Sequence, residues 1–331
     1  MNVMLLAAGE GTRLRPYTLT LPKPAIPFLT IPLAAHSLGF LRGIEISKLV
    51  VNTFHLPQKI HELFHSLPVK CESLHFSDEV GEILGSGGGI GKAREHFLGG
   101  GDFVMMNADE VILPKDPSAL NRALEQHRKS QALATLMVMD HPGVGTEFGG
   151  VWADSNQKVL GFGKTAFPGS HKGWHFIGVL ILSERVYNYI TPSGPSNILY
   201  DALTIGIQKG ELVQAFPFEC TWFETGNPKD FIAATKQCLT YLTAEADSFQ
   251  KKVLLQTLND FSSEPIKFQK TESSYLMTSE SAKIESSTTK EGVFVAGKGS
   301  SVGKDCRLKN VIVASGAAVP ANTEASDCLF L

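Results

Sequence analysis

Residues 3–23, with the sequence VMLLAAGEGTRLRPYTLTLPK, form the segment around which the predicted fold is organised. An apolar run of β-strand length leads into the turn Gly9-Glu10-Gly11. Because glycine has no Cβ, the backbone of such a turn can approach a ligand closely, and its N–H groups form an anion-binding concavity. Arg13, Arg15 and Lys23 add positive charge beside the turn. The segment therefore predicts a binding site for a polyphosphate.

Two better-known phosphate-binding motifs do not fit this segment. The dinucleotide motif G-x-G-x-x-G requires a third glycine at position 14, where this chain has Leu14. The Walker A motif G-x-x-x-x-G-K-[ST] does not occur in the sequence. A Gly-x-Gly alone is equally typical of an ordinary turn after a strand, so the longer motif has to carry the argument.

Composition limits the classes of function. The 331 residues include 30 basic and 33 acidic side chains, and a net charge of −3 argues against a general nucleic-acid binder or a protein that binds anionic membranes. Five scattered cysteines without a C-x-x-C motif favour reduced thiols over a disulfide framework or a zinc site. The first strand begins too early to leave room for a signal peptide, and no apolar run approaches 18 residues. We expect a cytoplasmic protein.

Apolar strands alternate with helical patterns through the first 260 residues. Strands are expected at 48–53 and 74–76, and helices at 33–41, 57–64 and 113–126. This alternation predicts β-α units and a mostly parallel sheet flanked by helices.

A carboxylate follows another buried strand. The apolar run 102–106 ends in Asn107-Ala108-Asp109. Ligands of open α/β sheets lie outside the carboxyl ends of the strands, so Asp109 is expected to face the same cleft as the glycine turn. Mg²⁺ is commonly held by one or two carboxylates together with substrate phosphates. A helix cap or a turn residue is the alternative interpretation of Asp109.

The complete motif G-x-G-T-R-L-x-P-x-T, followed by P-K-P at 22–24, resembles the signature of the sugar-1-phosphate nucleotidyltransferase family. The resemblance implies a Rossmann-like, mostly parallel mixed sheet flanked by helices. It also implies a reaction in which a nucleoside triphosphate and a sugar 1-phosphate give an NDP-sugar and pyrophosphate, with Mg²⁺ as the cofactor.

The resemblance further implies roles for individual residues. Arg13, Lys23 and Asp109 would be catalytic. The nucleotide would contact Leu6, Ala7, Ala8, Gly9, Gly11, Thr12, Arg13, Glu82, Gly87, Gly88 and Gly89, the last four at the base. The sugar phosphate would contact Asp109, Gly149, Lys164 and Gly178. The glycine run 85–89 has a second interpretation, a flexible linker.

Two positions depart from the family pattern. The segment Trp222-Phe223-Glu224-Thr225-Gly226 is similar to W-x-D-x-G-T-P, whose Asp is the second metal ligand, so Glu224 would join Asp109 at the metal. Glu places its carboxylate further out, and Mg²⁺ demands near-ideal geometry. Gly163 stands beside Lys164 where a sugar-binding Glu is usual, so sugar contacts in this chain are expected to differ.

The C-terminal part of the chain is expected to form a separate unit. Residues 1–260 would be the catalytic domain, and the Ser-, Thr-, Glu- and Lys-rich segment 261–291 a linker. In 292–331 small apolar residues recur at steps near six, the spacing of a hexapeptide β-helix. About two coils of a left-handed β-helix-like tail are expected, packed on the catalytic domain or on another subunit of a homo-oligomer, with a plain β-hairpin as the alternative.

The sequence leaves the substrates open. The tail and the glycine run favour a mannose-1-phosphate guanylyltransferase-like activity, and the glycine run is also similar to that of uridylyltransferases for hexose or amino-sugar 1-phosphates. The alternative to an enzyme is a catalytically silent regulatory subunit with the same fold.

Overall fold

The computed structural model describes residues 1–191 and 193–331. Its strands are β1 (Asn2–Leu6), β2 (Pro27–Phe28), β3 (Ile31–Pro32), β4 (Ile46–Thr53), β5 (Cys71–Asp78), β6 (Phe103–Asn107), β7 (Val111–Pro114), β8 (Ala134–Met139), β9 (Gly150–Ala153), β10 (Val159–Gly163), β11 (Lys172–Leu182), β12 (Val213–Pro217), β13 (Cys220–Phe223), β14 (Ile266–Lys270), β15 (Ser274–Ser279), β16 (Lys283–Ile284), β17 (Thr289–Ala296), β18 (Ser301–Val302), β19 (Arg307–Val313), β20 (Ala318–Val319) and β21 (Glu324–Phe330). Its α-helices are α1 (Leu33–Phe40), α2 (Pro57–Ser66), α3 (Gly85–Lys92), α4 (Ala119–Ser130), α5 (Thr204–Gln208), α6 (Pro228–Thr243) and α7 (Phe249–Phe261), and a π-helix, Ile198–Leu203, precedes α5.

A nine-stranded, mostly parallel sheet forms the centre of the molecule and confirms the predicted α/β class. Its main path runs β10-β9-β11-β6-β1-β4-β5, and β8 and β12 extend it beside β11. Strand β1 lies parallel to both β4 and β6, with Leu6 opposite Asn52 on one side and Asn107 on the other. The segments that follow β1 and β6 therefore leave the sheet side by side.

Helices cover both faces of this sheet. Along β1, Val3 and Leu5 pack into one apolar core, whereas Met4 packs into a second core on the opposite face. This alternation is the period of a strand. Because both faces are buried, β1 reads as a continuous apolar run, as is typical of parallel sheets.

Two local predictions were wrong in detail. Residues 111–114 form β7, which pairs with β13, so the helix expected at 113–126 begins only at Ala119. The glycine run 85–89, for which a flexible linker was one interpretation, lies inside α3. Gly87 and Gly88 are buried in that helix against the segment 194–198, where a Cβ would come within 2.6 and 2.7 Å of Ser196 Oγ and the Gly194 carbonyl oxygen. This close packing explains glycines in a helix despite their low helix propensity.

The tail is a coil of stacked parallel strands, as the six-residue spacing predicts. The longer sheet consists of the parallel strands β15, β17, β19 and β21, with β14 antiparallel to β15 at its edge, and β16, β18 and β20 form a second sheet. Met277, Val295, Ile312 and Leu329 occupy equivalent positions 17 or 18 residues apart, which corresponds to three hexads per turn. Four parallel strands stack in the longer sheet, more than the two expected coils provide.

The expected linker over residues 261–291 is also corrected. It contains β14, β15 and β16 and the start of β17, so it forms the first part of the coil. The segment reads as a linker because few of its side chains are buried apolar ones. Ser274 and Ser279 are buried polar residues, and the Ser274 hydroxyl donates to the Lys290 carbonyl oxygen at 2.8 Å. The boundary between a catalytic domain, residues 1–260, and a C-terminal unit stays a prediction.

The coil packs against the rest of the molecule. Phe231 and Leu239 of α6 share one apolar core with Met277, Ile312 and Leu329 of the tail. In the part of the chain that the structure describes, no helix combines the length and the apolar character needed to cross a membrane.

Candidate active site

A cavity of about 400 Å³ opens at the carboxyl ends of β1 and β6. Its wall consists of the loop after β1, the end of β6 and the start of α3. The lining residues are Leu6, Ala7, Ala8, Gly9, Gly11, Thr12, Arg13, Lys23, Pro24, Asn52, Ile83, Gly85, Ser86, Asn107, Asp109 and Gly226. The structure thus brings together every residue predicted at the triphosphate and all three predicted catalytic residues.

The phosphate loop, residues 9–23, holds a compact shape. Gly11 has a φ of +61°, and a Cβ at this position would lie 2.9 Å from Thr18 Cγ2. The Thr18 hydroxyl donates to the Gly11 carbonyl oxygen at 3.0 Å. In the short 3₁₀ helix Thr12–Leu14, Leu14 is fully buried, whereas the Arg13 side chain is 67% exposed at the cavity mouth. Glycine at position 11 therefore permits both the backbone angle and the close approach to Thr18.

Lys23 and Asp109 form the central ion pair of the cavity. Lys23 Nζ lies 2.6 Å from Asp109 Oδ2, and the two side chains are only 14% and 24% exposed. Lys23 comes from the phosphate loop and Asp109 from the end of β6, so the pair joins the two halves of the wall. The attraction between the two groups offsets part of the desolvation that each one undergoes in the cavity wall.

Glu224 lies beside the cavity and does not line it. It borders an adjoining recess of about 380 Å³, where its Oε1 accepts a hydrogen bond from the Gly226 backbone and lies 3.9 Å from Arg13 Nη2. The Thr225 hydroxyl donates to the Asp109 carbonyl oxygen at 3.4 Å, so the segments that carry the two predicted metal ligands adjoin. Both contacts engage Glu224 Oε1 outside the cavity that Asp109 lines.

A buried polar chain behind β1 was missed by the sequence analysis. The Ala7 backbone donates to Asn52 Oδ1 at 2.8 Å, and Asn52 Nδ2 donates to Glu79 Oε1 at 2.7 Å. The second oxygen of Glu79 accepts from the Leu84 backbone at 2.7 Å. These bonds connect the end of β1 to the segment before α3, across the cavity. Asn52 is the penultimate residue of an apolar strand, and Asn107 is the last residue of another, so a polar residue near a strand end was the signal in the sequence.

Glu110, next to Asp109, is held by two donors. Trp222 Nε1 donates to Oε2 and Asn107 Nδ2 to Oε1, both at 2.8 Å. Burial, with the nearby Asp109 charge, raises the pKa of Glu110 to about 7. A Cβ at Gly178 would collide with Glu110 Oε1 and lie 2.6 Å from Asn107 Nδ2. Gly178, a predicted sugar contact, therefore makes room for the pair that supports Asn107 in the cavity wall.

The residues predicted at the base and the sugar are only partly brought to the cavity. At the base end the wall contains Ile83, Gly85 and Ser86, whereas Glu82 is exposed and Gly87, Gly88 and Gly89 are buried in α3 outside the lining. Gly149 and Lys164 also lie outside it, and Lys164 is exposed. The cavity wall at this end is thus formed by residues between Glu82 and Gly87, and the assignment of Glu82 and Gly87 to Gly89 to the base stays a prediction.

An aromatic cluster borders the recess beside Glu224. His175 is 5% exposed and packs against His141, Phe148 and Trp222, with ring centroids 5.2, 4.6 and 4.5 Å away. Burial, followed by the charge of His141, lowers the pKa of His175 to about 4. His175 is therefore a neutral packing residue at pH 7.

Comparison with known proteins places this geometry in a family. Relatives include a UTP–glucose-1-phosphate uridylyltransferase of Synechocystis sp. (29% identity, 72% of this chain and 64% of the relative). A second relative is a mannose-1-phosphate guanylyltransferase of Arabidopsis thaliana, with 27% identity over 76% of this chain and 66% of the relative. A third is a mannose-1-phosphate guanyltransferase of Aspergillus oryzae, with 30% identity over 74% of this chain and 65% of the relative. The chain spans just under two thirds of the length of these relatives.

Solved structures show the same fold. An apo UDP-glucose pyrophosphorylase aligns with a TM-score of 0.59 at 18% identity, over 72% of this chain and 97% of that one. A UDP-glucose pyrophosphorylase from Acinetobacter baumanii aligns with a TM-score of 0.60 at 19% identity, over 78% and 99%. The family model described as "Nucleotidyl transferase" matches residues 2–240. The chain belongs to the nucleotidyl transferase family.

Proposed function

We propose that this protein is a sugar-1-phosphate nucleotidyltransferase, which converts a nucleoside triphosphate and a sugar 1-phosphate to an NDP-sugar and pyrophosphate. The observation that carries the proposal is the cavity in which a glycine-containing phosphate loop, Arg13, Lys23 and Asp109 meet at adjacent strand ends. Family membership and the named relatives support it.

The proposed residue roles follow from electrostatics. Two anions have to approach, and unit charges about 4 Å apart repel by ~4 kcal/mol at an effective dielectric of 20. The backbone N–H groups of 9–12 would bind the triphosphate, and Lys23 would neutralise charge at the α-phosphate. Arg13, exposed at the mouth, would hold the leaving pyrophosphate, because its planar fork matches phosphate oxygens. No protein nucleophile is needed when alignment and charge neutralisation supply the catalysis.

Asp109 fits a role as a Mg²⁺ ligand, because its carboxylate lies inside the cavity where the phosphates would bind. Within residues 1–191 and 193–331, no group of three or more His, Cys, Asp or Glu side chains is arranged to hold a metal by itself. This agrees with Mg²⁺ held by one or two carboxylates plus substrate phosphates. A bound Mg²⁺ would supply neutralisation of phosphate charge, and Glu224 is the proposed second ligand after reorientation.

Guanosine and uridine triphosphates are the two candidate donors. The mannose-1-phosphate guanylyltransferases among the relatives favour GTP with mannose 1-phosphate. The Synechocystis relative favours UTP with a hexose or amino-sugar 1-phosphate. At the base end, Ser86 Oγ accepts from the Ile198 backbone at 3.0 Å, so its hydrogen is available to a carbonyl group of either base.

A substrate matrix tests the proposal. ATP, CTP, GTP and UTP would each be combined with glucose, mannose, galactose and N-acetylglucosamine 1-phosphates in the presence of Mg²⁺, with pyrophosphate release as the readout. We expect release with at least one pair that contains GTP or UTP, and none without a sugar 1-phosphate. Nucleotide binding without release in any pair would contradict the proposal and favour the silent regulatory subunit.

A further inference from the structure

The phosphate loop contacts the last strand of the tail. The Leu329 backbone N–H donates to Tyr17 Oη at 3.1 Å, although the two residues are 312 positions apart in the chain. Strand β21 is at the end of its sheet, and its ladder partner in the described chain is β19. An edge strand carries N–H groups that no neighbouring strand accepts. The Tyr17 hydroxyl satisfies one of these groups.

Apolar contacts accompany this hydrogen bond. Leu14 of the phosphate loop is fully buried in the core that also contains Met277, Ile312 and Leu329 of the tail. The half-buried Tyr17 packs against the same core. One side of the loop therefore faces the cavity, while its other side rests on the coil.

The phosphate loop is tightly packed within itself, so a displacement of its Tyr17–Leu19 part is passed on to its Gly11 part. The Thr18 hydroxyl binds the Gly11 carbonyl oxygen, and a Cβ at Gly11 would lie only 2.9 Å from Thr18 and 3.3 Å from Lys23. A shift of the short helix Tyr17–Leu19 therefore moves the backbone that lines the phosphate end of the cavity.

The cavity wall opposite the phosphate loop is also supported by the tail. Gly226 lines the cavity immediately before α6. Phe231 and Ala234 of α6 belong to the core that includes the tail strands, and Phe231 also packs edge-on against Phe28 with ring centroids 5.3 Å apart. The tail thus contacts both elements that close the phosphate end.

We propose that Tyr17 is a positioning residue through which the last coil of the tail holds the phosphate loop in its triphosphate-binding conformation. This inference rests on the proposed function, since it takes the cavity to be a triphosphate site. Tyr17 itself does not line the cavity, so its effect on binding is exerted through Gly11 and Thr18.

The experiment uses the full-length chain with Tyr17→Phe, which keeps the ring and removes the hydroxyl. Tyr241→Phe is the matched control, because Tyr241 packs against the same core from α6. Affinity for GTP and for UTP, each with Mg²⁺, would be measured by calorimetry for both variants. Amide hydrogen exchange of residues 9–20 would be compared with that of β1.

We expect Tyr17→Phe to raise the triphosphate Kd about threefold to tenfold, the range that loss of one hydrogen bond produces. Exchange should accelerate in 9–20 and stay unchanged in β1, and the KM for the sugar 1-phosphate should not move. Tyr241→Phe should leave the Kd unchanged. A Tyr17→Phe protein with a lower Tm but an unaltered Kd would overturn the inference, as would equal weakening in both variants. If the unmodified protein binds no nucleoside triphosphate, it is the proposed function that fails.

Discussion

At the scale of single residues, the Lys23–Asp109 pair is the feature that a substrate has to rearrange. Nζ and Oδ2 are 2.6 Å apart in a largely buried setting, so each charge already has its partner. Under the proposed function, an incoming triphosphate would give Lys23 a second anion, and Mg²⁺ would give Asp109 a second cation. The ion pair therefore holds both side chains in place inside the cavity.

Asp109→Asn tests this role. We expect turnover to fall by two or more orders of magnitude with the fold intact, because the amide neither binds Mg²⁺ comparably nor compensates Lys23. Glu224→Gln should cost only about tenfold, since Glu224 is engaged with Arg13 and Gly226 beside the cavity. Pyrophosphate release and circular dichroism would be measured, with the exposed Glu219→Gln as the control. Equal losses for Asp109→Asn and Glu224→Gln would show that both acids are equivalent ligands.

The proposed role of Arg13 can be tested with the nearby Arg15 as the control. Arg13→Ala should lower turnover by two or more orders of magnitude, whereas Arg13→Lys should recover part of it, because Lys supplies charge without the planar fork. Arg15 is similarly exposed, pairs with Glu10 at 3.5 Å and does not line the cavity, so Arg15→Ala should change turnover less than threefold. Steady-state pyrophosphate release distinguishes the three variants. Comparable losses for Arg13→Ala and Arg15→Ala would contradict the assignment of the leaving group to Arg13.

At the scale of elements, the cavity depends on how α3 packs against the end of β4. A Cβ at Gly89 would lie 2.7 Å from Asn52 Nδ2 and 2.9 Å from Glu79 Oε1. These two atoms form the hydrogen bond that links Asn52 to Glu79. Glycine at this position lets the helix approach a buried polar chain. The helix start, in turn, supplies the base end of the cavity wall.

Gly89→Ala should disturb this arrangement. We expect a loss of stability of about 1–3 kcal/mol from overpacking and a weaker triphosphate affinity. Gly91→Ala lies in the same helix, but its Cβ would lie 2.9 Å from Ile190 Cγ2 and 3.9 Å from the Thr191 carbonyl oxygen, away from the Asn52–Glu79 bond. Both variants gain the same helix propensity, so the difference between them isolates the contact with Asn52. Urea unfolding and calorimetry would measure it, and identical behaviour of the two variants would argue against the role of the polar chain.

The same elements show which features of the fold and the site can be predicted from the sequence. The apolar run 3–8 and its glycine turn predicted a strand that ends at the site, because local pattern determines both. The Asn52–Glu79 bond was not predictable in this way, since it depends on β4 lying beside β1. Gly87 to Gly89 were assigned to the base, although their absent side chains serve helix packing. The linker at 261–291 was misread because its strands bury few apolar side chains.

At the scale of the whole molecule, buried imidazoles make stability depend on pH. Burial lowers the pKa of His36 to about 4, and its Nε2 lies 3.3 Å from the Phe28 carbonyl oxygen. Because the folded pKa is below the unfolded value of 6.5, the unfolded chain binds the proton more readily. The stabilisation is complete above pH 6.5 and is lost as the pH falls toward 4. Glu110, whose pKa is raised to about 7, acts in the opposite direction, so a variant is needed to isolate His36.

His36→Gln keeps an N–H donor and removes the titration. We expect the difference in free energy of unfolding between the unmodified protein and this variant to shrink by about 1.4 kcal/mol per pH unit between pH 6.5 and 4. Urea unfolding at pH 7, 6, 5 and 4.5 would measure it. A difference that stays constant over this interval would show that His36 is not a buried neutral imidazole.

Also at this scale, the tail and the cavity belong to one packed unit. Leu14 of the phosphate loop and Leu329 of the last strand lie in one core, so the two ends of the chain meet behind the site. The six-residue spacing predicted the coil but not this contact, because it joins residues more than 300 positions apart.

The central claim is that a sugar 1-phosphate oxygen attacks the α-phosphorus and pyrophosphate leaves. The most direct measurement uses the active pair from the substrate matrix, with the sugar 1-phosphate labelled with ¹⁸O at all of its phosphate oxygens, and mass spectrometry of both products. We predict that every labelled oxygen appears in the NDP-sugar and none in pyrophosphate, and that Asp109→Asn abolishes product at the same enzyme concentration. Label in the pyrophosphate, or nucleotide consumption without an NDP-sugar, would contradict the account.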